Sequence, residues 1–329
     1  MNTEYRAFVV REQNGDFIGK VENKKISDLP LGDVLIEVKY SSVNFKDALS
    51  ANGNKGVSRN YPHTPGIDAS GIVVESLSSR FKVGDEVLVT GYDLGMNTSG
   101  GFQQFIRVPS DWVVPLPKGL SLRESMIIGT AGFTAALSVY KMIKAGIRKE
   151  DGEVLVTGAT GGVGSMAVAI LSKLGYSVVA LTGKVSEAAF LRALGASEII
   201  DRHEFIDSSP RPLLKSRFSG VIDTVGGEIL STAIKLTKYN GVVTCCGMVH
   251  ANAFTSSVFP FILRGVSLIG IDSVECPMDL RRTIWHLLAR EYKVTTLEHL
   301  VYEITLDDLN ETFSTLIQGK GRGRTLVVL

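Results

Sequence analysis

Residues 153–165 read EVLVTGATGGVGS, an apolar run followed by a glycine-rich turn. The apolar run is typical of a short buried strand, and residues 163–174 continue as an apolar helix. Gly158, Gly161 and Gly164 carry no Cβ, so backbone N–H groups there can approach a diphosphate closely. The following helix would direct its partially positive N-terminus at the same anion. The stretch predicts a dinucleotide site, although glycine spacing alone also fits close helix–strand packing.

A regular alternation of apolar runs and helical segments extends from about residue 125 to residue 275. Runs that are apolar throughout are typical of strands covered on both faces, and their alternation with helices indicates a parallel sheet. The predicted fold class is therefore α/β, with a Rossmann-type doubly wound parallel sheet. Its strands are predicted at 154–156, 177–181, 198–200, 221–224, 242–246 and 266–271, and its helices at 163–174, 186–194 and 228–237.

The first 120 residues have a different pattern. Their apolar runs are short, partly alternating and separated by Gly, Asp and Pro, which indicates a small antiparallel, barrel-like β domain. Ser121 and Glu124 form a capping-box signature for a helix over residues 125–143, with Gly129 and Gly132 as candidate breaks. We predict that 1–124 is the first part of the β domain, 125–275 the dinucleotide-binding domain, and 276–329 a return to the β domain.

Bulk composition narrows the classes of function. The 329 residues suffice for two domains with their own cores, and a formal net charge of +1 provides no global field for nucleic acid or an anionic membrane. The N-terminus lacks the basic-then-apolar order of a signal peptide. No apolar run is expected to reach the roughly 20 residues that span a bilayer, and the longest apolar helix is expected near 166–174. A cytoplasmic enzyme is therefore expected.

The cysteines and histidines do not have the spacing of a metal site. Cys245 and Cys246 are adjacent and Cys276 stands alone, so the closely spaced pairs of a structural zinc site are missing. The five histidines are scattered, and no two of them are separated by three residues. The sequence predicts no metal site.

The end of the second predicted Rossmann strand carries Thr182, Gly183 and Lys184, where a protein that prefers NAD usually has Asp or Glu. Arg202 follows the third strand, whose carboxyl end should lie beside the same position. A charge-assisted hydrogen bond contributes about 1.5–3 kcal/mol. Two cations could therefore favour NADP over NAD by roughly a hundredfold or more. The alternative is that both are solvated surface charges, but their coincidence at two strand ends favours NADP(H).

Seven short motifs, together with the glycine turn, carry a resemblance to a known family. They are SVNFKD (42–47), PGIDASG (65–71), IGTAGFTA (128–135), DTVGG (223–227), PFILRG (260–265), IDS (271–273) and GRTLV (323–327). Over its whole length the chain resembles the zinc-independent branch of the medium-chain dehydrogenase/reductase family, which contains quinone oxidoreductases and acryloyl-CoA reductases. The resemblance implies a GroES-like β-barrel catalytic domain split across the Rossmann domain, with the active site in the cleft. It also implies a homodimer through the last Rossmann strand, 266–271.

The resemblance further implies chemistry without zinc. Zinc-dependent relatives carry Cys in the segment that matches Asn44, a His-Glu pair that matches Ile67 and Asp68, and four cysteines in the region of residues 91–110, where this chain has none. Hydride from NADPH would then reduce a conjugated C=C bond or a quinone. We expect the substrate to be a small 2-enoyl-CoA such as acryloyl-CoA. An NADPH:quinone oxidoreductase is the nearest alternative, and a non-catalytic NADPH-binding redox sensor is an alternative from another class.

Residue roles follow from the same matching. Asn44 is expected to orient the substrate or the cofactor carboxamide, while Asp47 is either a structural anchor or part of a proton relay. Phe45 stands where relatives often have Tyr, which leaves Tyr92 or water as the proton donor. The expected cofactor-binding residues are Thr130, Gly161, Gly162, Val163, Gly164, Thr182, Gly183, Lys184, Arg202, Gly247, Met248, Ile262, Ser273 and Arg324, the last through a phosphate of NADP or of the acyl-CoA.

Overall fold

The structure, a computed structural model, describes residues 4–329. Residues 1–3, which begin the segment in which no signal peptide is expected, lie outside the described residues. The chain divides into two compact units. The first contains the described part of Met1–Thr130 together with Val274–Trp285 and Leu300–Leu329, and the second contains Ala131–Ser273 and His286–His299.

Strands and α-helices within residues 4–329 are numbered in chain order. The strands are β1 (Glu4–Gln13), β2 (Asp16–Lys25), β3 (Val34–Val43), β4 (Asp68–Ser76), β5 (Glu86–Thr90), β6 (Phe105–Val108), β7 (Val114–Pro115), β8 (Glu153–Thr157), β9 (Val178–Thr182), β10 (Glu198–Asp201), β11 (Phe218–Asp223), β12 (Thr237–Cys245), β13 (Ser267–Gly270), β14 (Val301–Ile304) and β15 (Arg324–Val328). The helices are α1 (Phe45–Ala51), α2 (Leu122–Lys144), α3 (Gly162–Lys173), α4 (Ala188–Ala193), α5 (Arg202–Phe205), α6 (Gly227–Leu236), α7 (Phe259–Arg264), α8 (Met278–Leu288), α9 (Leu297–Leu300) and α10 (Leu309–Ile317).

The second unit is built on a six-stranded sheet in which every neighbouring pair is parallel. The strand order is β10-β9-β8-β11-β12-β13, so the sheet extends in both directions from β8, as in a doubly wound Rossmann sheet. β9 is buried along its whole length and β8 along all but its first residue, as expected for strands covered on both faces. The predicted doubly wound parallel sheet is confirmed.

The first unit contains a seven-stranded sheet and a two-stranded one. The path β14-β15-β3-β4-β5-β7, with β6 also paired to β3, is antiparallel except for the pair β14–β15. The predicted antiparallel character is confirmed, and the C-terminal strand β15 pairs with β3. The hairpin β1–β2 was not predicted. Its turn residues Asn14 and Gly15 have φ values of 54° and 90°, as a two-residue hairpin turn requires, so the Asn-Gly pair was the available signal.

Helix α2 begins with the predicted capping box. The Ser121 amide donates to Glu124 Oε2 at 2.8 Å, and the Glu124 amide donates to Ser121 Oγ at 3.1 Å. Gly129 interrupts the helix with φ 51° and ψ −161°, which confirms one of the two candidate breaks. The other candidate is wrong, because Gly132 lies in regular helix.

The expectation that residues 166–174 form the longest apolar helix is also wrong. Among the described residues, α2 is the one helix long and apolar enough to cross a membrane, and α3 is a shorter apolar helix. The best 18-residue window of α2 has a mean hydropathy of 1.4, and 78% of that window is buried inside the protein. Burial in the protein interior therefore accounts for its apolar composition.

Candidate active site

The glycine turn connects β8 to α3. Gly158 has φ 59°, in the left-handed region that favours glycine, and Gly161 is the N-cap residue of α3. A Cβ at Gly164 would lie 2.3 Å from the Gly158 oxygen, so the first turn of α3 packs directly on the loop. A Cβ at Gly161 would meet only the same oxygen, at 3.4 Å, which is an ordinary contact. Packing explains glycine at 164, whereas glycine at 161 fits the close approach of an anion.

The first turn of α3 leaves backbone donors available at this position. The first amides of an α-helix have no acceptor within the helix, and Gly161 contributes no side-chain cap. Gly162, Val163 and Gly164 are the residues of that turn. Their placement fits a diphosphate, which would accept from the amides and meet the positive end of the helix dipole.

The two predicted cations lie together at the ends of β9 and β10. Thr182 and Asp201 are partners in these neighbouring parallel strands, and Arg202 follows directly. Arg202 lies so close to Gly183 that a Cβ at position 183 would be 2.5 Å from Arg202 Nε. Burial of Lys184, together with the nearby charge of Arg202, lowers the pKa of the Lys184 ammonium, while Glu187 opposes this shift. Positive charge concentrated beside a glycine fits a 2′-phosphate.

Thr182 does not have the predicted role. Its side chain is 2% exposed, and its hydroxyl lies 3.2 Å from Thr160 Oγ1 and accepts from the Lys184 amide at 3.0 Å. The hydroxyl therefore stabilises the turn that carries Gly183 and Lys184. The predicted direct contact between Thr182 and a 2′-phosphate is corrected to this indirect one.

Four other residues of the second unit that were predicted to bind the cofactor differ in their packing and exposure. A Cβ at Gly247 would lie 2.0 Å from the Thr224 oxygen, so close backbone packing requires glycine there. Ser273 Oγ accepts from Thr134 Oγ1 at 2.8 Å. Met248 and Ile262 are both 68% exposed. Their exposure leaves both side chains accessible to a ligand or a partner.

In the first unit, the structure assembles Asn44, Thr130 and Arg324 around a carboxylate that the sequence analysis did not select, Asp68. Asp68 is fully buried and accepts four hydrogen bonds. The donors are Ser42 Oγ at 2.6 Å, Asn44 Nδ2 at 2.8 Å, and the amide and hydroxyl of Thr130 at 2.8 and 2.6 Å. Four donors compensate the burial of one charge. The available signal was an acid flanked by small and apolar residues, since a buried acid needs such partners.

Arg324 belongs to the same network, and the predicted contact with a phosphate is wrong. The side chain is 3% exposed, and its donors are directed at protein acceptors. Nε donates to the Ile127 oxygen at 2.9 Å, and Nη2 donates to Ser42 Oγ at 2.9 Å. Nη1 donates to the Val43 oxygen at 3.2 Å and to Asn44 Oδ1 at 3.3 Å. Burial lowers the pKa of Arg324, while the carboxyl groups of Asp68 and Asp47 oppose this shift.

Asp47 connects the start of α1 to the turn before β4. Its Oδ2 accepts from the backbone N–H of Asn44 at 2.7 Å. Its Oδ1 accepts from the backbone N–H groups of Ile67 and Gly66 at 2.9 and 3.2 Å. Burial, and next the charge of Asp68, raise the pKa of Asp47 to about 7. The three partners are backbone amides, which donate hydrogen bonds but do not relay protons. The geometry therefore favours the structural anchor over the proton relay.

Tyr92 is packed within the first unit. Its ring stacks on Trp112 with 5.7 Å between centroids and 8° between planes, and the Arg281 guanidinium lies 4.3 Å from its centroid. These contacts fix the ring as part of the unit's packing. They support a structural role for Tyr92 over that of a proton donor.

Two protein families match parts of the chain. The family described as "Alcohol dehydrogenase GroES-like domain" matches residues 30–118, and the family described as "Zinc-binding dehydrogenase" matches residues 162–290. The donor set does not fit the zinc in the second description. Within residues 4–329 no group of three or more His, Cys, Asp or Glu side chains could hold a metal ion. The Asp68 carboxylate already accepts from four protein donors.

Curated relatives match the chain over nearly its full length. It is 43% identical to "Putative quinone oxidoreductase YhfP" of Bacillus subtilis over 330 residues, with 100% of each chain covered. It is 42% identical to "Acrylyl-CoA reductase AcuI" of Ruegeria pomeroyi over 316 residues, with 96% of each covered.

Solved structures match as well. The YhdH oxidoreductase of Salmonella enterica in complex with NADP has a TM-score of 0.96 and 45% identity, with 98% of this chain and 99% of that chain covered. Bacillus subtilis YhfP with NAD bound has a TM-score of 0.97 and 43% identity, with 99% and 100% covered.

Proposed function

The chain belongs to the medium-chain dehydrogenase/reductase family, and from this premise we propose that it uses NADPH to reduce the activated C=C bond of a small 2-enoyl-CoA. The observation that carries the proposal is the full-length similarity to an acrylyl-CoA reductase at 42% identity. The cations beside Gly183 support NADPH as the reductant. The similarity to a protein named as a quinone oxidoreductase makes NADPH:quinone reduction the second candidate.

The proposed reaction converts acryloyl-CoA, NADPH and a proton into propionyl-CoA and NADP⁺. When bound, the nicotinamide supplies a hydride to the β-carbon. Negative charge then develops on the thioester oxygen, and the α-carbon takes a proton from solvent. The protein must hold the enoyl group in one orientation and exclude competing water. We assign Asn44 to orient the substrate or the cofactor carboxamide, and Asp47 to hold the α1 N-terminus that carries Asn44.

Within the second unit, Arg202 and Lys184 are the proposed contacts of the 2′-phosphate, and the first turn of α3 is the proposed contact of the diphosphate. Thr182 supports this arrangement by holding the Lys184 amide. Thr130, Gly247, Met248, Ile262 and Ser273 remain proposed contacts of the rest of the cofactor. A relative has been solved with NAD, so the preference of this chain for NADPH is a quantity to be measured.

We also propose a homodimer through β13. This strand is an outer edge of the six-stranded sheet, and among the described strands β12 is its one partner. Exposed apolar side chains lie on β13 and in the segment before it: Leu268 at 37%, Val258 at 65%, Phe259 at 44% and Leu263 at 56%. Pairing with β13 of a second copy would give hydrogen-bond partners to the backbone N–H and C=O groups at the edge, and it would cover these side chains. Light scattering that gives a monomer at micromolar concentration would exclude it. The expected cytoplasmic location stays a prediction, which cell fractionation would test.

Product analysis tests the proposed reaction. NADPH deuterated at the transferred position is incubated with acryloyl-CoA, and the product is examined by mass spectrometry and NMR. The proposal predicts propionyl-CoA with one deuterium at C3 and a solvent proton at C2. Simple quinones are assayed in parallel under anaerobic conditions. Turnover of quinones without turnover of acryloyl-CoA would favour the second candidate. Tight NADPH binding without turnover of either class would indicate a sensor.

A further inference from the structure

A buried carboxylate and a buried guanidinium, joined by a hydroxyl, contact the two ends of the Asn44 carboxamide. Ser42 Oγ donates to Asp68 Oδ2 at 2.6 Å and accepts from Arg324 Nη2 at 2.9 Å. Asn44 Nδ2 donates to the same Asp68 oxygen at 2.8 Å and to the Ser42 carbonyl oxygen at 3.3 Å. Asn44 Oδ1 accepts from Arg324 Nη1 at 3.3 Å. The donor end of the amide therefore meets the anion, and the acceptor end meets the cation.

This arrangement defines the orientation of the amide. A carboxamide rotated by half a turn would direct its NH₂ group at a guanidinium, which has no acceptor, and its oxygen at a carboxylate, which has no hydrogen to donate. Both hydrogen bonds would be lost, and both replacements would be repulsive. Hydrogen bonds to charged groups are stronger than those between neutral groups, so a carboxylate and a guanidinium discriminate between the two orientations more strongly than two neutral partners would.

Gly129 lies directly against the network. A Cβ at this position would be 2.4 Å from Ser42 Oγ, 2.6 Å from Asp68 Oδ2 and 2.7 Å from Arg324 Nη2. The residue also has φ 51°, which favours glycine. The break in α2 therefore allows the backbone to cover the three polar groups and keeps them out of water, where Ser42 and Asp68 are fully buried. Exclusion of water strengthens their mutual electrostatic interaction.

We propose that Asp68, Ser42 and Arg324 are positioning residues of the reductase, and that they fix Asn44, and with it the start of α1, in the one orientation that the reacting ligand requires. They act through Asn44 and do not contact the ligand. The proposal rests on the proposed function for the reaction it serves, but the orientation of Asn44 is a property of the protein alone. Disturbing the network should therefore alter Asn44 first and turnover as a consequence.

Ser42→Ala is the sharpest probe, because it removes the bridging hydroxyl and leaves both charges in place. The side-chain amide protons of Asn44 are observed by ¹⁵N-edited NMR and assigned by their loss in Asn44→Asp. In Ser42→Ala these protons should shift and exchange faster with water. The kcat for acryloyl-CoA should fall about 10- to 100-fold, the loss typical of a misplaced group. The Kd for NADPH, measured by fluorescence, should stay within about twofold, because the proposed contacts of its diphosphate and 2′-phosphate all lie in the second unit.

The chain contains a matched control for Arg324. Arg281 is a second fully buried arginine of the first unit, and it donates to the Thr90 oxygen at 2.6 Å, to Thr90 Oγ1 at 3.1 Å and to the Val274 oxygen at 2.9 Å. Arg281→Lys and Arg324→Lys should lower the melting temperature comparably, because each loses a buried fork of hydrogen bonds. Only Arg324→Lys should lower kcat and shift the Asn44 amide.

The outcomes separate the two proposals. Unchanged Asn44 amide protons and unchanged kcat in Ser42→Ala would overturn the positioning network, as would equal losses of kcat in the two arginine variants. If the wild-type protein fails to reduce any enoyl-CoA while the Asn44 amide still shifts in Ser42→Ala and Arg324→Lys, the proposed function fails. The result would still support the inference that Asp68, Ser42 and Arg324 orient Asn44.

Discussion

Gly164 packs so closely on Gly158 that a Cβ at position 164 would lie 2.3 Å from the Gly158 carbonyl oxygen, whereas a Cβ at Gly161 would lie 3.4 Å from the same atom. Two glycines of one turn thus have different physical requirements. Position 164 is constrained by the protein's own backbone. Position 161 has φ −78°, which any residue adopts, and has room for a methyl group, so its constraint would come from a bound diphosphate.

We predict opposite phenotypes for the two alanine variants. Gly164→Ala should lower the free energy of unfolding by about 1–3 kcal/mol, the usual cost of overpacking. Gly161→Ala should change it by less than about 0.5 kcal/mol but weaken NADPH binding at least about tenfold. Chemical denaturation and fluorescence titration measure the two effects. A Gly161→Ala protein that binds NADPH as tightly as the wild type would place the diphosphate elsewhere.

The cations at the strand ends should determine cofactor choice. Arg202→Ala and Lys184→Ala should each weaken NADPH binding about 10- to 100-fold, because each removes a charge-assisted hydrogen bond to the 2′-phosphate. NADH, which lacks that phosphate, should bind nearly unchanged. Arg192→Ala, at an exposed position on α4, is the control for loss of a surface cation. An unchanged ratio of the two affinities in both variants would remove the assignment of these residues.

The sequence predicted the Rossmann sheet well because its central strands β8, β9 and β11 are short apolar runs buried on both faces, and such a run can be recognised without its neighbours. The hairpin β1–β2 was missed because the burial of β2 alternates only weakly, as its mixed pattern of exposed and half-buried residues shows. A strand of that kind is stabilised by its partner across the Asn14-Gly15 turn rather than by an apolar face.

The hydrogen-bond network around Asp68 could not be predicted from the sequence for a related reason. Asp68 receives its donors from positions 26, 24 and 62 residues distant, and Arg324 reaches Ser42 across 282 residues. Nothing local marks those residues as partners. Arg324 was predicted to contact a phosphate because the resemblance implies a C-terminal tail that returns to the cleft. The pairing of β15 with β3 instead places it in the interior.

Asp47 should make the stability of the protein decrease with rising pH. Its pKa is raised by burial to about 7, from an ordinary value near 4 in the unfolded chain. Between these values the folded state binds a proton that the unfolded state lacks, so the free energy of unfolding falls by up to about 1.4 kcal/mol per pH unit as pH rises, and levels off above pH 7.

Asp47→Asn should remove this contribution to the slope, because a carboxamide does not titrate. It should also lower stability at pH 5, because a carboxamide has one acceptor oxygen, whereas both oxygens of Asp47 accept from backbone donors. Denaturation with urea from pH 5 to pH 8 measures both effects. Asp279→Asn, at an exposed position, is the control and should leave the slope as in the wild type. Equal slopes in wild type and Asp47→Asn would contradict the assignment.

The adjacent thiols should react slowly in the folded protein. Burial, and next the charge of Asp223, raise the pKa of Cys246 to about 12, and the same two causes raise the pKa of Cys245. Because the thiolate is the reactive form, iodoacetamide should modify Cys246 at pH 8 at least about a hundredfold more slowly than in urea-unfolded protein. The rate should rise about tenfold per pH unit up to the limit of stability. Mass spectrometry of the alkylated peptide measures it, and equal rates in folded and unfolded protein would show that Asp223 and burial do not protect the thiol.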